Sequence, residues 1–155
     1  MFLGKYEKNI VTKFKLLPLE VLERTIKMRS TVVPTGVLYA DRTKFENAFY
    51  VECNWFSKGT SEDPIELVHV HEFDEVLVFI GSDPENPHDL NGEVELWLDD
   101  EKYILKNTCA VFVPKGLKHC PLIFRRVEKP IIFVAFGPTP YYSRKEVGET
   151  PKQLH

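Results

Sequence analysis

The chain is 155 residues long, with 43% hydrophobic and 28% charged residues. This length can enclose a hydrophobic core, and the composition is that of one ordinary globular domain, which excludes a disordered or fibrous protein. Twenty basic residues stand against 23 acidic residues, for a net charge of −3. Such a balance offers no general attraction to nucleic-acid phosphates or anionic lipid, so we expect neither a nucleic-acid nor a membrane partner.

The N-terminal residues and the cysteines predict a cytoplasmic protein. Residues 1–15 mix lysines with isolated apolar residues and lack the apolar stretch of a signal peptide, and no run of about 18 apolar residues occurs. Cys53, Cys109 and Cys120 are odd in number and show no CxxC spacing, which predicts free thiols. The position of Cys120 directly after His119 leaves a metal-linked or redox role open.

Residues 1–30 predict an N-terminal helix or arm. Pro18 is followed by Leu19, Leu22 and Ile26 with charged residues between them. This is the pattern of a short amphipathic helix with a proline near its first turn. Two roles remain open: the helix caps the rest of the domain, or it packs on a second subunit.

Residues 31–140 are dominated by strand signals and predict an all-β domain. Many short strands with frequent turn signals are typical of a sandwich or barrel, and no helical crossover of convincing length appears. The aromatic and β-branched runs are 47–56, 65–71, 76–80, 94–98, 102–105, 109–113, 121–124 and 131–136. Residues 81–92, with two prolines and two glycines, predict an irregular loop that is solvated or acts as a lid. Residues 141–155 predict a C-terminal tail that leaves the barrel.

The segment 69–75 carries the first candidate site. Side chains at i and i+2 of a strand point to the same face, so His69 and His71 project together. Two imidazoles at that spacing can converge on one ion at about 2.0–2.1 Å from each ring nitrogen. Glu75 has the same parity and can return a carboxylate to the ion where the strand bends. Glu72 and Asp74 have the opposite parity, which places them at the rim or, alternatively, behind a ligand histidine.

A second segment supplies a further histidine. Pro114 and Gly116 form a turn, and His119 follows at the start of an apolar strand. His119 has the parity of Pro121 and Ile123 and is expected to face inward with them.

Together and in this order, the two segments resemble the two motifs of the cupin family, HxH-x3-E and PxGxxH. The resemblance covers roughly residues 47–136. Three positions that are not ligands depart from the family pattern, where Asp63, Thr108 and Ile123 replace two glycines and an asparagine. The resemblance implies a double-stranded β-helix, which is a jelly-roll barrel. It also implies one divalent metal ion, held by His69, His71, Glu75 and His119.

The resemblance also implies a function. A six-coordinate ion with four protein ligands keeps two positions open for a substrate or O₂. Iron, manganese, nickel, cobalt, copper and zinc all fit such a ligand set. We expect an enzyme that acts on a small metal-chelating substrate, with a dioxygenase first. A metal-dependent isomerase, lyase or decarboxylase, or a metabolite-sensing module without turnover, is the alternative.

Three further expectations concern the surroundings of the metal. Glu75 is a candidate proton shuttle in addition to its role as a ligand. Phe73 and Ile123 have the parity to line the pocket beside the ligands, although both also suit the barrel core. The N-terminal segment and the many strand edges predict a homodimer formed by strand or arm exchange.

Overall fold

The computed structural model describes residues 4–12, 14 and 19–148, so Pro18 and residues 149–155 of the expected tail lie outside it. The helical part comprises a short 3-10 helix at Glu7–Asn9 and an α-helix, α1, at Leu19–Lys27, which confirms the expected helix. Among the described residues, no helix is long and apolar enough to cross a membrane.

The rest of the described chain is built from short strands. They are β1 Pro34–Ala40, β2 Tyr50–Phe56, β3 Gly59–Thr60, β4 His69–Val70, β5 Glu75–Gly81, β6 Asp89–Leu98, β7 Glu101–Asn107, β8 Cys109–Val113, β9 His119–Val127, β10 Ile131–Gly137 and β11 Lys145–Glu146. A five-stranded sheet has the order β1-β2-β10-β5-β8, and a six-stranded sheet has the order β11-β4-β9-β6-β7 with β3 paired to β9. From β2 onward the chain passes repeatedly between the sheets. This is the expected double-stranded β-helix.

The hydrophobic core lies between the two sheets. Strands β5 and β10 alternate between buried and half-buried residues along their whole length, as a period-two pattern requires. Phe56 of β2 stacks on Phe124 of β9 with ring centroids 3.8 Å apart, so the two sheets are joined by direct aromatic packing.

The loop expected at 81–92 is shorter than predicted. Strand β5 ends only at Gly81 and strand β6 already begins at Asp89, so the prediction is wrong for residue 81 and for residues 89–92. Gly92 permits this, because a Cβ there would lie 2.4 Å from the carbonyl oxygen of Arg126 on the paired strand β9. Residues 82–88 do form a loop, and His88 within it is exposed. No residue of 82–88 lines the cavity described below, so nothing supports a lid.

The sequence suggested that the chain leaves the barrel after Pro140. Instead, the described residues that follow return to it. Strand β11 pairs with β4 and places Lys145 opposite Val70. The ring of Tyr142 packs 5.1 Å from that of Tyr50. The short strand β4 has an open edge, and the returning chain satisfies its backbone groups there. The division into 1–30, 31–140 and 141–155 stays a prediction.

Helix α1 lies against the barrel. The guanidinium of Arg24 donates a 2.7 Å hydrogen bond to the carbonyl oxygen of Ile65, and Thr25 lines the cavity. These contacts favour the capping role over packing on a second subunit.

Candidate metal centre

The period-two pattern runs unbroken through the first segment. His69, His71, Phe73 and Glu75 are buried, whereas the alternate residues 72 and 74 are exposed. His69 belongs to β4 in one sheet and Glu75 to β5 in the other. The chain therefore crosses between sheets within this segment, and the bend brings the carboxylate round to face the histidines. Pairing of β4 with β9 sets His119 directly opposite His69.

The side chains of the four expected ligands lie close together. The Nε2 atoms of His69 and His71 are 3.2 Å apart. The Oε1 atom of Glu75 lies 3.4 Å from Nε2 of His71 and 3.7 Å from Nε2 of His119. All four residues are at most 3% exposed.

The backbone fixes the tautomer of each imidazole. The Nδ1 atoms of His69, His71 and His119 lie 2.5, 2.7 and 3.0 Å from the carbonyl oxygens of residues 67, 143 and 117. A carbonyl oxygen only accepts hydrogen bonds, so each Nδ1 carries the proton and each Nε2 presents a lone pair to the centre. Backbone carbonyls therefore orient the candidate ligand histidines, which is the alternative role considered for Glu72 and Asp74.

Burial favours the neutral form of two of the histidines, His69 and His119. It lowers the pKa of His69 to about 3, with the nearby His119 adding to the effect. Burial also lowers the pKa of His119. Neutral imidazoles are the form that binds a metal, so the site is prepared for a cation at neutral pH.

Glu75 is held in a single orientation. Its Oε2 accepts a 3.1 Å hydrogen bond from the phenol of Tyr50, which leaves Oε1 to face the histidines. Burial, followed by the charges of Glu52 and Glu75, raises the pKa of Tyr50 well above its usual value, so this phenol remains a donor.

Backbone hydrogen bonds join the two segments. Gly116 has a φ of +81°, in the left-handed region that favours glycine, and its N–H donates a 2.9 Å hydrogen bond to the carbonyl oxygen of His71. The N–H of Lys115 donates to a carboxylate oxygen of Asp74 over 2.8 Å, and the Lys115 ammonium lies 3.5 Å from Glu72. The rim position expected for Glu72 and Asp74 is therefore confirmed.

The residues present fit a divalent metal ion. Among the described side chains, Nε2 of His119 is one of two buried polar atoms without a hydrogen-bond partner, and a ligand lone pair aimed at an ion has this property. Within the described part of the chain, two groups have donor atoms close enough to hold an ion: His71 with Glu75 and His119, and His69 with His119 and Cys120. Burial raises the pKa of the Cys120 thiol well above its usual value, so without a metal this cysteine is a neutral thiol.

A cavity of about 100 Å³ is lined by three of the four residues, His69, Glu75 and His119. Its walls combine a few carboxyl, hydroxyl and imidazole groups with a larger apolar surface that includes Leu77, Leu122 and Phe133. The expected pocket residue Ile123 does not line the cavity. Its neighbour Leu122 pairs with Leu96, and both belong to the core. Ile123 pairs with Glu95 and therefore lies on the opposite face of the sheet.

The inward parity predicted for Ile123 is therefore wrong. Cys120 has a left-handed φ of +69°, and the pairing of β9 with β6 shifts register nearby. The alternation between His119 and Leu122 is displaced by one residue there. The second expected pocket residue, Phe73, stacks on the ring of His71 at 4.7 Å and is not among the residues that line the cavity, so it supports a candidate ligand from behind.

Sequence reasoning missed several cavity residues. Strand β2 presents four alternate side chains to the cavity: Tyr50, Glu52, Asn54 and Phe56. Their period of two was a usable signal. Tyr142 also lines the cavity but had no such signal, because it lies in an irregular segment.

Glu52 is the most unusual of these residues. Its carboxyl group has no hydrogen-bond partner among the described residues. Burial in the cavity, reinforced by the carboxyls of Glu66 and Glu75 and opposed by Arg144, raises its pKa to about 8.

Comparison with known proteins adds a likeness of fold. No family model and no curated protein matches the sequence. Among solved structures, a Klebsiella pneumoniae protein with a double-stranded beta-helix domain is 16% identical, covers 87% of this chain and 100% of its own, and has a TM-score of 0.49. A cupin protein from Bacteroides fragilis is 15% identical, with coverages of 94% and 99% and a TM-score of 0.43. KdgF from Halomonas sp. is 16% identical, with coverages of 72% and 81% and a TM-score of 0.41.

Likenesses at this level carry no argument about function. The strand order and the crossing of the histidine segment between sheets define an all-β double-stranded β-helix. The chain has this fold, which its two motifs implied, and its described residues include a histidine and glutamate cluster that could hold a metal ion.

Proposed function

We propose that this chain is a metal-dependent enzyme that acts on a small organic substrate with two adjacent oxygen atoms. The observation that carries the proposal is that three imidazole lone pairs and one oriented carboxylate lie close together, with His69, Glu75 and His119 lining a cavity. A structural metal site is closed by its protein ligands, whereas four ligands to a six-coordinate ion leave two positions for a chelating substrate. Enols, diketones, hydroxy-acids and catechol-like compounds have the required oxygens.

The residues around the cavity would prepare both the ion and the substrate. When bound, a divalent ion supplies Lewis acidity and, if it is redox-active, an electron path to O₂. The neutral histidines and the Tyr50–Glu75 hydrogen bond preserve the ligand geometry. Leu77, Leu122 and Phe133 exclude water from the reacting atoms. A cavity of about 100 Å³ suits a molecule of a few heavy atoms.

Oxygen insertion is the first reaction class, because a redox-active ion at this site would supply an electron path from a chelated substrate to O₂. Proton-transfer chemistry, as in an isomerase, lyase or decarboxylase, is the second class, and Glu52 specifically favours it. Glu52 lines the same cavity with a free carboxyl whose pKa is raised to about 8. Both oxygens of Glu75 face other groups, so Glu52 is better placed than Glu75 to exchange a proton.

Metal analysis by mass spectrometry tests the proposal first. The purified protein is expected to hold about one metal ion per chain. His69→Ala and His119→Ala should lose it, whereas His88→Ala, which removes an exposed loop histidine, should retain it. A protein without metal even after reconstitution, or equal loss in all three variants, would refute the proposal.

The identity of the metal directs the next assay. If it is iron, oxygen uptake is measured with catechols and diketones. If it is zinc or nickel, isomerase and lyase assays come first. Tight binding of a metabolite that is never consumed would replace the enzyme by a sensing module.

A further inference from the structure

The outer surface of the five-stranded sheet is apolar across all five strands. Its outward side chains form three cross-strand rows: Thr35–Trp55–Ile132–Ile80, Leu38–Cys53–Val134–Val78–Ala110 and Ala40–Val51–Phe136–Val76–Phe112. We call these 14 residues the outer apolar face. None of them is charged, none is buried, and Phe112 is 60% exposed.

The outer surface of the other sheet is different. Glu93 of β6 forms ion pairs with Lys106 of β7 at 3.2 Å and with Arg126 of β9 at 3.4 Å. Glu95 of β6 pairs with Arg125 of β9 at 2.8 Å. One sheet of this molecule therefore has the charged exterior expected of a solvated antiparallel sheet, and the other does not.

The sequences of the central strands β5 and β10 also indicate an apolar outer side. Residues 76–80 and 131–136 are apolar at both parities, whereas a strand with one solvated face alternates apolar and polar residues. Continuous apolar runs of this kind are typical of strands that are covered on both sides. The inner side of β5 and β10 is covered by the barrel core, so the outer side needs a second cover.

The projected area of the face is about half of what one partner buries in a standard dimer interface. Five strands about 4.8 Å apart and three rows of side chains span roughly 20 Å by 20 Å in projection. The accessible surface of the protruding side chains is larger than this projected area. A stable interface buries about 800 Å² per partner. Val33 and Phe49, each 57% exposed, precede β1 and β2 and extend the apolar area.

We propose that the outer apolar face packs against the same face of a second copy of this chain. A two-fold contact brings each patch onto itself, so like charges near the axis would repel, and this face has none. Two flat sheets can then stack face to face about 10 Å apart with side chains interdigitated. This arrangement differs from the strand or arm exchange that the sequence suggested, and it does not depend on the metal.

A matched pair of substitutions tests the proposal. Ile132→Lys places a charge on the central strand of the outer apolar face. Ile104→Lys makes the same change on the outer surface of the other sheet, where Ile104 is 43% exposed. Sedimentation velocity and light scattering should give twice the chain mass of 18.0 kDa for the wild type and Ile104→Lys, but 18.0 kDa for Ile132→Lys.

A second variant guards against misfolding. Phe112→Lys changes an exposed residue of the edge strand β8 and should also give a folded monomer by circular dichroism. A wild type that remains at 18.0 kDa at high concentration would overturn the proposal. Dimers that survive both charges on the face would overturn it too, as would dissociation by Ile104→Lys.

Discussion

The phenol of Tyr50 reaches across strand β10 to donate its hydrogen bond to Glu75. Tyr50 lies on β2 and Glu75 on β5, and both strands flank β10. The residue of β10 opposite Tyr50 is Gly137, which has no side chain to obstruct the crossing. A Cβ at Gly137 would lie 2.6 Å from the carbonyl oxygen of Asp74. The orientation of the only carboxylate among the four expected ligands therefore depends on a strand that contributes no ligand.

Tyr50→Phe should weaken metal binding while leaving the fold intact. The change keeps the ring and removes only the hydroxyl that orients Glu75. Loss of such an outer partner lowers metal affinity by about 10–100-fold. Competition with a chromophoric chelator measures the change. Tyr39→Phe is the control, because Tyr39 is also buried and packs beside Tyr50 but is not one of the residues that line the cavity; equal loss in both variants would contradict this account.

Removing residues after Pro140 should also weaken metal binding. This truncation deletes the Ser143 carbonyl that accepts from Nδ1 of His71 and the Tyr142 ring that packs 5.2 Å from the His71 ring. We expect an affinity loss of about 10-fold or more by chelator competition. A chain truncated after Gly148 keeps both contacts and should bind as the full chain does. Equal affinities for the two truncations would show that the carbonyl has no role.

Glu52→Gln should stabilise the metal-free protein by an amount that grows with pH. The folded protein holds the Glu52 proton up to about pH 8, whereas the unfolded chain loses it near the ordinary glutamate pKa of 4.5. A raised folded pKa gives a contribution that is fully present below pH 4.5 and is lost as the pH rises to 8. The upper limit is about 1.4 kcal/mol per pH unit.

Urea unfolding at pH 5 and pH 8 measures this difference. The groups that face Glu52 are the carboxyls of Glu66 and Glu75 and the guanidinium of Arg144, and the substitution leaves all three in place. Glu72→Gln is the control, because that side chain is 83% exposed and should change stability little at either pH. A gain for Glu52→Gln that is the same at both pH values would contradict the assignment.

Gly116→Ala should lower stability by about 1 kcal/mol. No atom lies within 4 Å of the added Cβ, so the loss comes from the left-handed backbone at φ +81°. Gly4→Ala also meets open space, without a positive φ, and should be nearly neutral. Thermal unfolding compares the two. Equal midpoints would mean that the turn before His119 adapts without strain.

Local patterns explain why the four expected ligands could be named from the sequence. The period of two gave His69, His71 and Glu75 a common face, and the burial of residues 69–75 follows it. The same rule failed at Ile123, because the left-handed Cys120 displaces the alternation within β9. The alternation of inward and outward side chains holds only while the backbone of a strand stays regular. The register shift in the pairing of β9 with β6 shows where it does not.

The sequence by itself determined the fold class, helix α1 and the set of candidate ligands, because these follow from residue types at fixed local spacings. Tertiary structure alone decided which groups surround that set: Tyr50 on Glu75, the Ser143 carbonyl on His71, and Leu122 in place of Ile123 at the cavity. It also decided that the outward residues of five separate strands form one apolar face. These neighbours come from distant parts of the chain, and strand pairing rather than local spacing brings them together.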